Sequence, residues 1–123
     1  MADLTTALET LRPRMRGMPE ATIQACAEFQ VTGDAAAFRR AVCGVLEHHL
    51  ARKPAQPVAS LPGTTALVAE LQLDSLAMVE MVFIFEDVFG VKLAQERLLQ
   101  VVTLDDLLAL LRSELPAGQS SPA

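Results

Sequence analysis

The residues best placed to do chemistry lie in one short stretch, LQLDSLAMVE at positions 71–80. Asp74 is a good helix-capping residue, so we expect a helix to begin at Ser75 with the serine hydroxyl facing outward in its first turn. The free N–H groups and the dipole of a helix N-terminus favour a phosphate group there. An exposed Ser75 is therefore suited to carry a phosphate ester.

Catalysis by the serine itself would need a base, and the chain offers only His48 and His49. Both lie on a different predicted helix, and the G-x-S-x-G turn that exposes a strained nucleophilic serine is absent. Cys43 and His48 differ by five positions, so they do not share a helix face and form neither a dyad nor a metal site. The pattern favours Ser75 as the substrate of another enzyme, and we expect the chain not to be an enzyme.

Composition limits the remaining possibilities. The chain has 123 residues, of which 51% are hydrophobic, and no Trp or Tyr, which predicts one compact helix-rich unit. It has no signal-peptide pattern and no apolar run of the roughly 18 residues that a membrane span needs, so we expect a cytoplasmic location and no membrane span. Cys26 and Cys43 lack a CxxC spacing and are expected to be reduced thiols.

Charge is distributed unevenly along the chain. Residues 1–60 have a net charge of +1 and residues 61–123 a net charge of −6, which together give the overall −5. The acidic C-terminal half is therefore the expected docking surface for basic partners. No basic stripe with interleaved aromatic residues is present, so nucleic acid is not an expected partner.

Capping residues and apolar spacing predict the elements before Ser75. Two short helices are expected at 3–11 and 19–29, followed by a longer amphipathic helix at 34–50 with Asp34 as its cap. From about residue 52 to residue 74 the only apolar feature is the short turn TALVAEL. A loop of this length in a small domain is usually functional or is braced by its own side chains.

Three elements are expected from Ser75 onward. The first is a helix at 75–89, ended by a turn at Gly90, and the second is the short segment LAQERLL. The last is a helix at 104–115, for which Thr103 and Asp106 are spaced as a capping box with Asp in place of the usual Glu. No strand pattern competes with this all-helical interpretation.

The predicted helix at 75–89 has two apolar surfaces when its residues are spaced at about 100° around the axis. The broad arc expected to face the core consists of Ala77, Met78, Met81, Val82, Ile84, Phe85, Val88 and Phe89. A narrow second strip consists of Leu76, Val79 and Phe83, with Glu80 and Asp87 along one edge and Glu86 along the other. An apolar strip framed by acids is expected to be a partner-docking surface, and burial under the N-terminal helices is the alternative.

A longer pattern surrounds the serine. It consists of the run LVAEL, then Asp74-Ser75-Leu76, Val79-Glu80, the acidic pair Glu86-Asp87, Phe89, the turn at Gly90, a short third helix and the final VVTLDDLLALL. This pattern, with the helix at 34–50 before it, resembles the acyl carrier protein family. The resemblance implies an all-α, acyl-carrier-type four-helix bundle with a long loop between its first and second helices. It also implies a helical extension at 1–33 with one or two helices, a carrier domain at 34–115 and a disordered tail at 116–123.

The resemblance further implies a carrier. Ser75 would bear 4'-phosphopantetheine, transferred from coenzyme A by a separate phosphopantetheinyl transferase, and Asp74 would help to position the metal and the serine in that complex. The thiol of the arm would hold acyl intermediates as thioesters, in a specialised fatty acid or polyketide type of pathway. The other partners would be acyl-loading, condensing and modifying enzymes with basic docking patches. The residues expected to meet those patches are Leu76, Val79, Glu80, Phe83, Glu86 and Asp87.

Carriers of this family shelter a lipid-like chain among their helices. Val82, Phe85, Leu104 and Leu108 are candidates to line such a pocket, although apolar residues at helical spacing indicate core packing first and pocket lining second. A carrier-like interaction protein that docks partners through its acidic helix and never bears the arm is the alternative function. The intact motif Asp74-Ser75-Leu76 favours the carrier.

The sequence also departs from the family pattern. Many carriers have Gly where this chain has Gln72, so we expect a less tight backbone at the entrance to the helix, and Ala77 replaces a commonly acidic residue. Met78, Ile84 and Val88 are more apolar than usual, which argues against a housekeeping role in fatty acid synthesis. Our hypothesis is that the extension covers the bundle and adapts it to a dedicated pathway; a loosely attached or dimerising extension is the alternative. The residues expected to provide this cover are Leu4, Leu8, Leu11, Ile23, Ala27 and Phe29.

Overall fold

A computed structural model describes residues 3–115, and this part of the chain is all-helical, as predicted. The helices are α1 (Leu4–Arg14), α2 (Glu20–Thr32), α3 (Ala35–His48), a short 3₁₀ helix (Val58–Ser60), α4 (Ser75–Phe89), α5 (Gln95–Leu98) and α6 (Leu104–Ser113). Among these residues, no helix combines the length and the apolar character that crossing a membrane requires. The predicted tail at 116–123 lies outside the described residues.

Side-chain caps set where four of the helices begin. In each case a side-chain oxygen accepts a hydrogen bond from a backbone N–H of the first turn, which satisfies a donor that the helix itself leaves free. The capping residues are Asp3, Asp34, Asp74 and Thr103. Thr103 and Asp106 form the predicted capping box. Helices α2 and α4 end at Gly33 and Gly90, both in the left-handed conformation that glycine adopts without strain.

Four helices end at a different residue from the one predicted: α1 at Arg14 instead of 11, α2 at Thr32 instead of 29, α3 at His48 instead of 50 and α6 at Ser113 instead of 115. Pro13, which has no N–H to donate, lies in the last turn of α1. The 3₁₀ helix in the long loop was not predicted; its Val58 is fully buried, and the N–H of Val58 donates to Glu47 Oε1 at 2.8 Å.

Four of the five phenylalanines form one buried cluster that joins three helices. Phe29 of α2, Phe38 of α3 and Phe89 of α4 contact one another with ring centroids 4.7–5.7 Å apart. Phe85 stacks on Phe89 at 5.9 Å. Aromatic pairs at these distances bury a large apolar area in a defined geometry. Helix α2, which precedes the carrier-like part of the sequence, therefore shares a core with α3 and α4.

The extension packs through most of the residues predicted to provide cover. Leu11, Ile23, Ala27 and Phe29 are buried, and Leu8 is partly buried against the same core. The expectation for Leu4 is wrong, because residues 3–6 at the start of α1 are all exposed and the first inward position is Ala7.

The long loop between α3 and α4 is held by hydrogen bonds to α6 and α3. The N–H of Leu67 donates to the carbonyl of Val102 at 2.9 Å, and the N–H of Leu104 donates to the carbonyl of Thr65 at 3.0 Å. On the other side, Arg39 Nη2 donates to the carbonyl of Leu61 at 2.9 Å. These contacts fix the path by which the chain reaches Asp74 and the start of α4.

Gly44 tests the packing of the extension directly, because a Cβ at this position would lie 2.3 Å from Thr22 Oγ1. Gly-to-Ala in a helix interior normally stabilises by about 1 kcal/mol. Here we expect Gly44→Ala to lower the free energy of unfolding by about 1–3 kcal/mol, as overpacking does. Urea unfolding followed by circular dichroism measures the change.

Thr22→Ala provides the matched background, because it removes the hydroxyl and the methyl that the new Cβ would meet. We expect Gly44→Ala to cost less than half as much in Thr22→Ala as in the wild-type chain. A stabilising Gly44→Ala in the wild-type background would contradict the close approach of α2 and α3.

Candidate functional site

Ser75 is the first residue of α4 and its side chain is exposed. The preceding Asp74 caps the helix through Oδ1, which accepts from the N–H of Ala77 at 2.7 Å. The hydroxyl of Ser75 makes no hydrogen bond with any described residue, so the cap leaves it free to react. This is the position that the sequence predicted.

The two histidines are engaged elsewhere. His49 Nδ1 lies 2.8 Å from the carbonyl of Val45, and the rings of His48 and His49 meet edge to face at 5.3 Å. Residues 3–115 contain no cluster of three His, Cys, Asp or Glu side chains suited to a metal ion. Within the described residues, neither histidine forms a hydrogen bond with Ser75.

An apolar groove of about 700 Å³ begins beside Ser75; we call it the Ser75 groove. Its walls are Val68, Leu73, Asp74, Ser75, Met78, Val79, Val82, Phe83, Gln95, Leu98, Leu99 and Val101. Apart from Asp74, Ser75 and Gln95, every wall residue is apolar. A flexible group attached to the Ser75 hydroxyl could thus place an apolar chain in the groove without burying a charge.

The groove only partly matches the predicted pocket residues. Val82 lines it, whereas Phe85, Leu104 and Leu108 do not. Phe85 and Leu104 are fully buried in the core and Leu108 packs half-buried against it, which is the core packing favoured for these residues. Sequence reasoning missed the walls from the long loop before α4, from α5 and from the segment after α5, because such short or irregular segments have no apolar periodicity to reveal them. Those missed walls are Val68, Leu98, Leu99 and Val101.

The apolar strip on α4 is open. Leu76, Val79 and Phe83 are 69%, 51% and 66% exposed, so the alternative in which the N-terminal helices cover them is wrong. Val79 and Phe83 also line the Ser75 groove. One continuous surface therefore runs from the groove to the outer face of α4.

The three acids beside this strip are not equivalent. Glu80 is exposed and forms no ion pair with any described residue. Glu86 is half-buried, and its Oε2 accepts from the N–H of Leu93 at 3.2 Å. Asp87 Oδ1 lies 3.7 Å from Nη1 of Arg14 in α1. Of these three acids, only Asp87 has a cationic side chain beside it among the described residues, whereas Glu80 and Glu86 form no ion pair.

The entrance to α4 is tight, contrary to the expectation from the missing glycine. Gln72 has a φ of 59°, the left-handed conformation that glycine usually occupies. The N–H of Gln72 donates to the carbonyl of Val68 at 3.1 Å, and the N–H of Leu73 donates to the carbonyl of Leu67 at 3.0 Å. The turn thus keeps its geometry, and the glutamine side chain adds strain to it.

Both cysteines are free thiols buried in the core, as predicted. Burial raises the pKa of Cys26 to about 12 and that of Cys43 to about 11, because the thiolate is poorly solvated inside the protein. Neither thiol is thus a nucleophile near neutral pH.

Comparison with protein families gives a match that includes the serine. The model of the phosphopantetheine attachment site family matches residues 37–111, which run from α3 into α6 and include Ser75. Helices α1 and α2 lie outside the matched range. No curated protein and no solved structure matches the chain.

Strain at Gln72 gives a stability prediction. A left-handed residue with a Cβ costs roughly 1–2 kcal/mol, part of which the greater backbone entropy of unfolded glycine offsets. We expect Gln72→Gly to raise the free energy of unfolding by about 0.5–1 kcal/mol in urea titrations. Gln24→Gly, at an exposed position inside α2, is the control and should lower it by about 1 kcal/mol. Equal losses in both variants would contradict the left-handed turn.

Burial of the thiols gives a reactivity prediction. At pH 8 a thiol reagent such as DTNB should modify neither Cys26 nor Cys43 in the folded protein within minutes, and both in denaturant. Ser60→Cys, which places a thiol at an exposed position, should react at once and serves as the positive control. Fast labelling of the folded wild-type protein would contradict the buried positions.

Proposed function

Because the chain belongs to the phosphopantetheine attachment site family, whose members are carriers that hold 4'-phosphopantetheine covalently and not enzymes, we propose that Ser75 is its attachment residue. The arm, once attached, supplies a thiol that holds acyl intermediates as thioesters. We further propose that this carrier serves a specialised fatty acid or polyketide type of pathway.

The observation that carries the proposal is the free, exposed hydroxyl of Ser75 at the end of an apolar groove. Asp74 satisfies the first turn of α4 and so leaves the serine oxygen available to bond with phosphorus. The unpaired N–H groups and the dipole of this 15-residue helix stabilise the phosphate negative charge that attachment brings. The groove then gives an aliphatic cargo apolar walls within reach of the arm.

Asp74 has a second proposed role. Only its Oδ1 takes part in the cap, so Oδ2 is available to help position the metal ion and the serine in the complex with a phosphopantetheinyl transferase. Asp74→Asn keeps an oxygen that can accept the capping bond but removes the charge. We therefore expect Asp74→Asn to lower the rate at which Ser75 is modified, while the free energy of unfolding changes little.

The outer face of α4 is the proposed docking surface for the transferase and for the acyl-loading, condensing and modifying enzymes. Its exposed apolar strip and adjacent acids fit partners that combine an apolar contact with basic side chains. The residues proposed to make these contacts are Leu76, Val79, Glu80, Phe83, Glu86 and Asp87. The groove fits an apolar cargo, because Gln95 is its one polar wall residue besides Asp74 and Ser75.

The attachment is tested by intact mass spectrometry after incubation with coenzyme A, Mg²⁺ and a broad-specificity phosphopantetheinyl transferase. We expect the wild-type chain to gain a single phosphopantetheine and Ser75→Ala to gain none. Ser60→Ala is the matched control, because Ser60 is also exposed but its hydroxyl already donates to the carbonyl of Pro57 at 2.7 Å. This variant should be modified as fully as the wild type.

Two results would contradict the proposal. A mass gain that persists in Ser75→Ala would place the arm on another residue. An unmodified wild-type chain, under conditions that convert a known carrier completely and with several transferases, would favour an interaction protein that docks through α4 without an arm.

A further inference from the structure

The ion pair between Arg14 and Asp87 links the N-terminal extension to the proposed docking surface. Arg14 Nη1 lies 3.7 Å from Asp87 Oδ1 and donates to the backbone carbonyl of Asp87 at 3.4 Å. Both side chains are about half exposed, so the pair lies on the surface of the molecule, between α1 and α4. A partner that approaches this end of α4 therefore meets an arginine as well as an aspartate.

The position of Arg14 is fixed by its neighbours in sequence. Leu11 and Met15 on either side of it are almost completely buried, which anchors the last turn of α1 in the core. The N–H of Met15 donates to the carbonyl of Leu11 at 2.9 Å and closes that turn. An arginine on an anchored turn loses less side-chain freedom when it pairs than one on a mobile segment does.

The pair changes how charge is spread along α4. Glu80 and Asp87 are seven residues apart, which is about 10 Å along a helix. That distance exceeds the screening length of about 8 Å at physiological ionic strength, so a partner meets the two acids as separate sites. Arg14 offsets the charge at the Asp87 site, whereas Glu80, next to the apolar strip, keeps its full charge.

We propose that Arg14 is a specificity-determining residue that offsets the charge of Asp87 and so weakens the electrostatic part of the partner contact proposed for Asp87. The partner that fits this surface has an apolar contact for Leu76, Val79 and Phe83 and places its basic groups opposite the unpaired Glu80 and Glu86 and away from Asp87. A partner that relies on a basic patch extending along the whole of α4 is disfavoured, because its far end faces the guanidinium of Arg14. This inference rests on the proposed function, since it concerns the same docking surface.

A phosphopantetheinyl transferase with a basic docking patch, supplied with coenzyme A and Mg²⁺, is the probe. Its kcat/KM for the carrier is measured at low ionic strength with the wild type, Arg14→Ala and Arg14→Ala/Asp87→Asn. We expect Arg14→Ala to raise kcat/KM by about two- to five-fold, as the release of one surface charge allows, and the double variant to return to the wild-type value. The gain should appear in KM, because Arg14 does not touch Ser75, and should vanish at high salt.

Arg12→Ala is the matched control, because Arg12 is an equally exposed arginine of α1 that pairs with Glu20 of α2 instead of α4. It changes the net charge of the protein by the same amount and should leave kcat/KM within about 1.5-fold of the wild type, since Arg12 pairs with Glu20 of α2 and forms no ion pair with the acids of α4. Matching thermal unfolding midpoints confirm that neither variant disturbs the fold.

The outcomes separate the two proposals. If Arg14→Ala matches the wild type or Arg12→Ala while Ser75 is still modified, this inference is wrong and the carrier function stands. If Arg14→Ala raises kcat/KM but the double variant keeps the gain, Asp87 is not the residue released and the inference is again wrong. If no variant is modified, the carrier function and this inference fail together.

Discussion

Phenylalanine rings from α2, α3 and α4 pack against one another in the core, with centroids 4.7–5.7 Å apart. Because Phe89 is at the C-terminal end of α4 and Phe85 one turn before it, this contact fixes which side of α4 faces inward. The opposite side has no other element of the described chain to cover it. The exposed strip, the Ser75 groove and the outward hydroxyl of Ser75 all follow from that orientation.

The fifth phenylalanine shows how the same helix performs both roles. Phe83 lies only two residues from Phe85, yet it is 66% exposed while Phe85 is fully buried. Two residues correspond to about 200° around a helix, so the two rings point in nearly opposite directions. Exposed aromatic side chains carry a risk of aggregation that a monomeric surface normally avoids. The exposure of Phe83 beside the groove fits its place in the proposed docking surface.

The extension is part of the same physical unit as the rest of the chain. Its α2 contributes Phe29 to the aromatic cluster and Thr22 to the close approach at Gly44, and its α1 places Arg14 beside Asp87. The extension therefore contributes to the packing of the core and to the charge of the proposed docking surface. The family match at residues 37–111 gives no indication of either contribution.

Local signals predicted much of this arrangement. Asp74 and Gly90 fixed both ends of α4, and the capping box fixed the start of α6, because caps depend on neighbouring residues alone. The left-handed Gln72 gave no signal, since a side chain with a Cβ normally avoids that conformation. Contacts between distant parts of the chain were also hidden: Arg14 and Asp87 are 73 residues apart.

Residue type could not separate the groove from the core either. Val82 and Phe85 lie on the same predicted arc of α4 and are both apolar, but only Val82 lines the groove. The difference depends on where α5 and its flanking loops pack, and these segments are too short to show a periodic pattern.

Native-state hydrogen exchange of α2 tests most directly the claim that the extension and the carrier-like bundle form one cooperative unit. Backbone amides in the interior of α2 should exchange with the same opening free energy as the slowest amides of α3 and α4, because the shared aromatic cluster must open for any of them. Exchange of α2 through a separate opening of much lower free energy, while α3 and α4 remain protected, would contradict the claim.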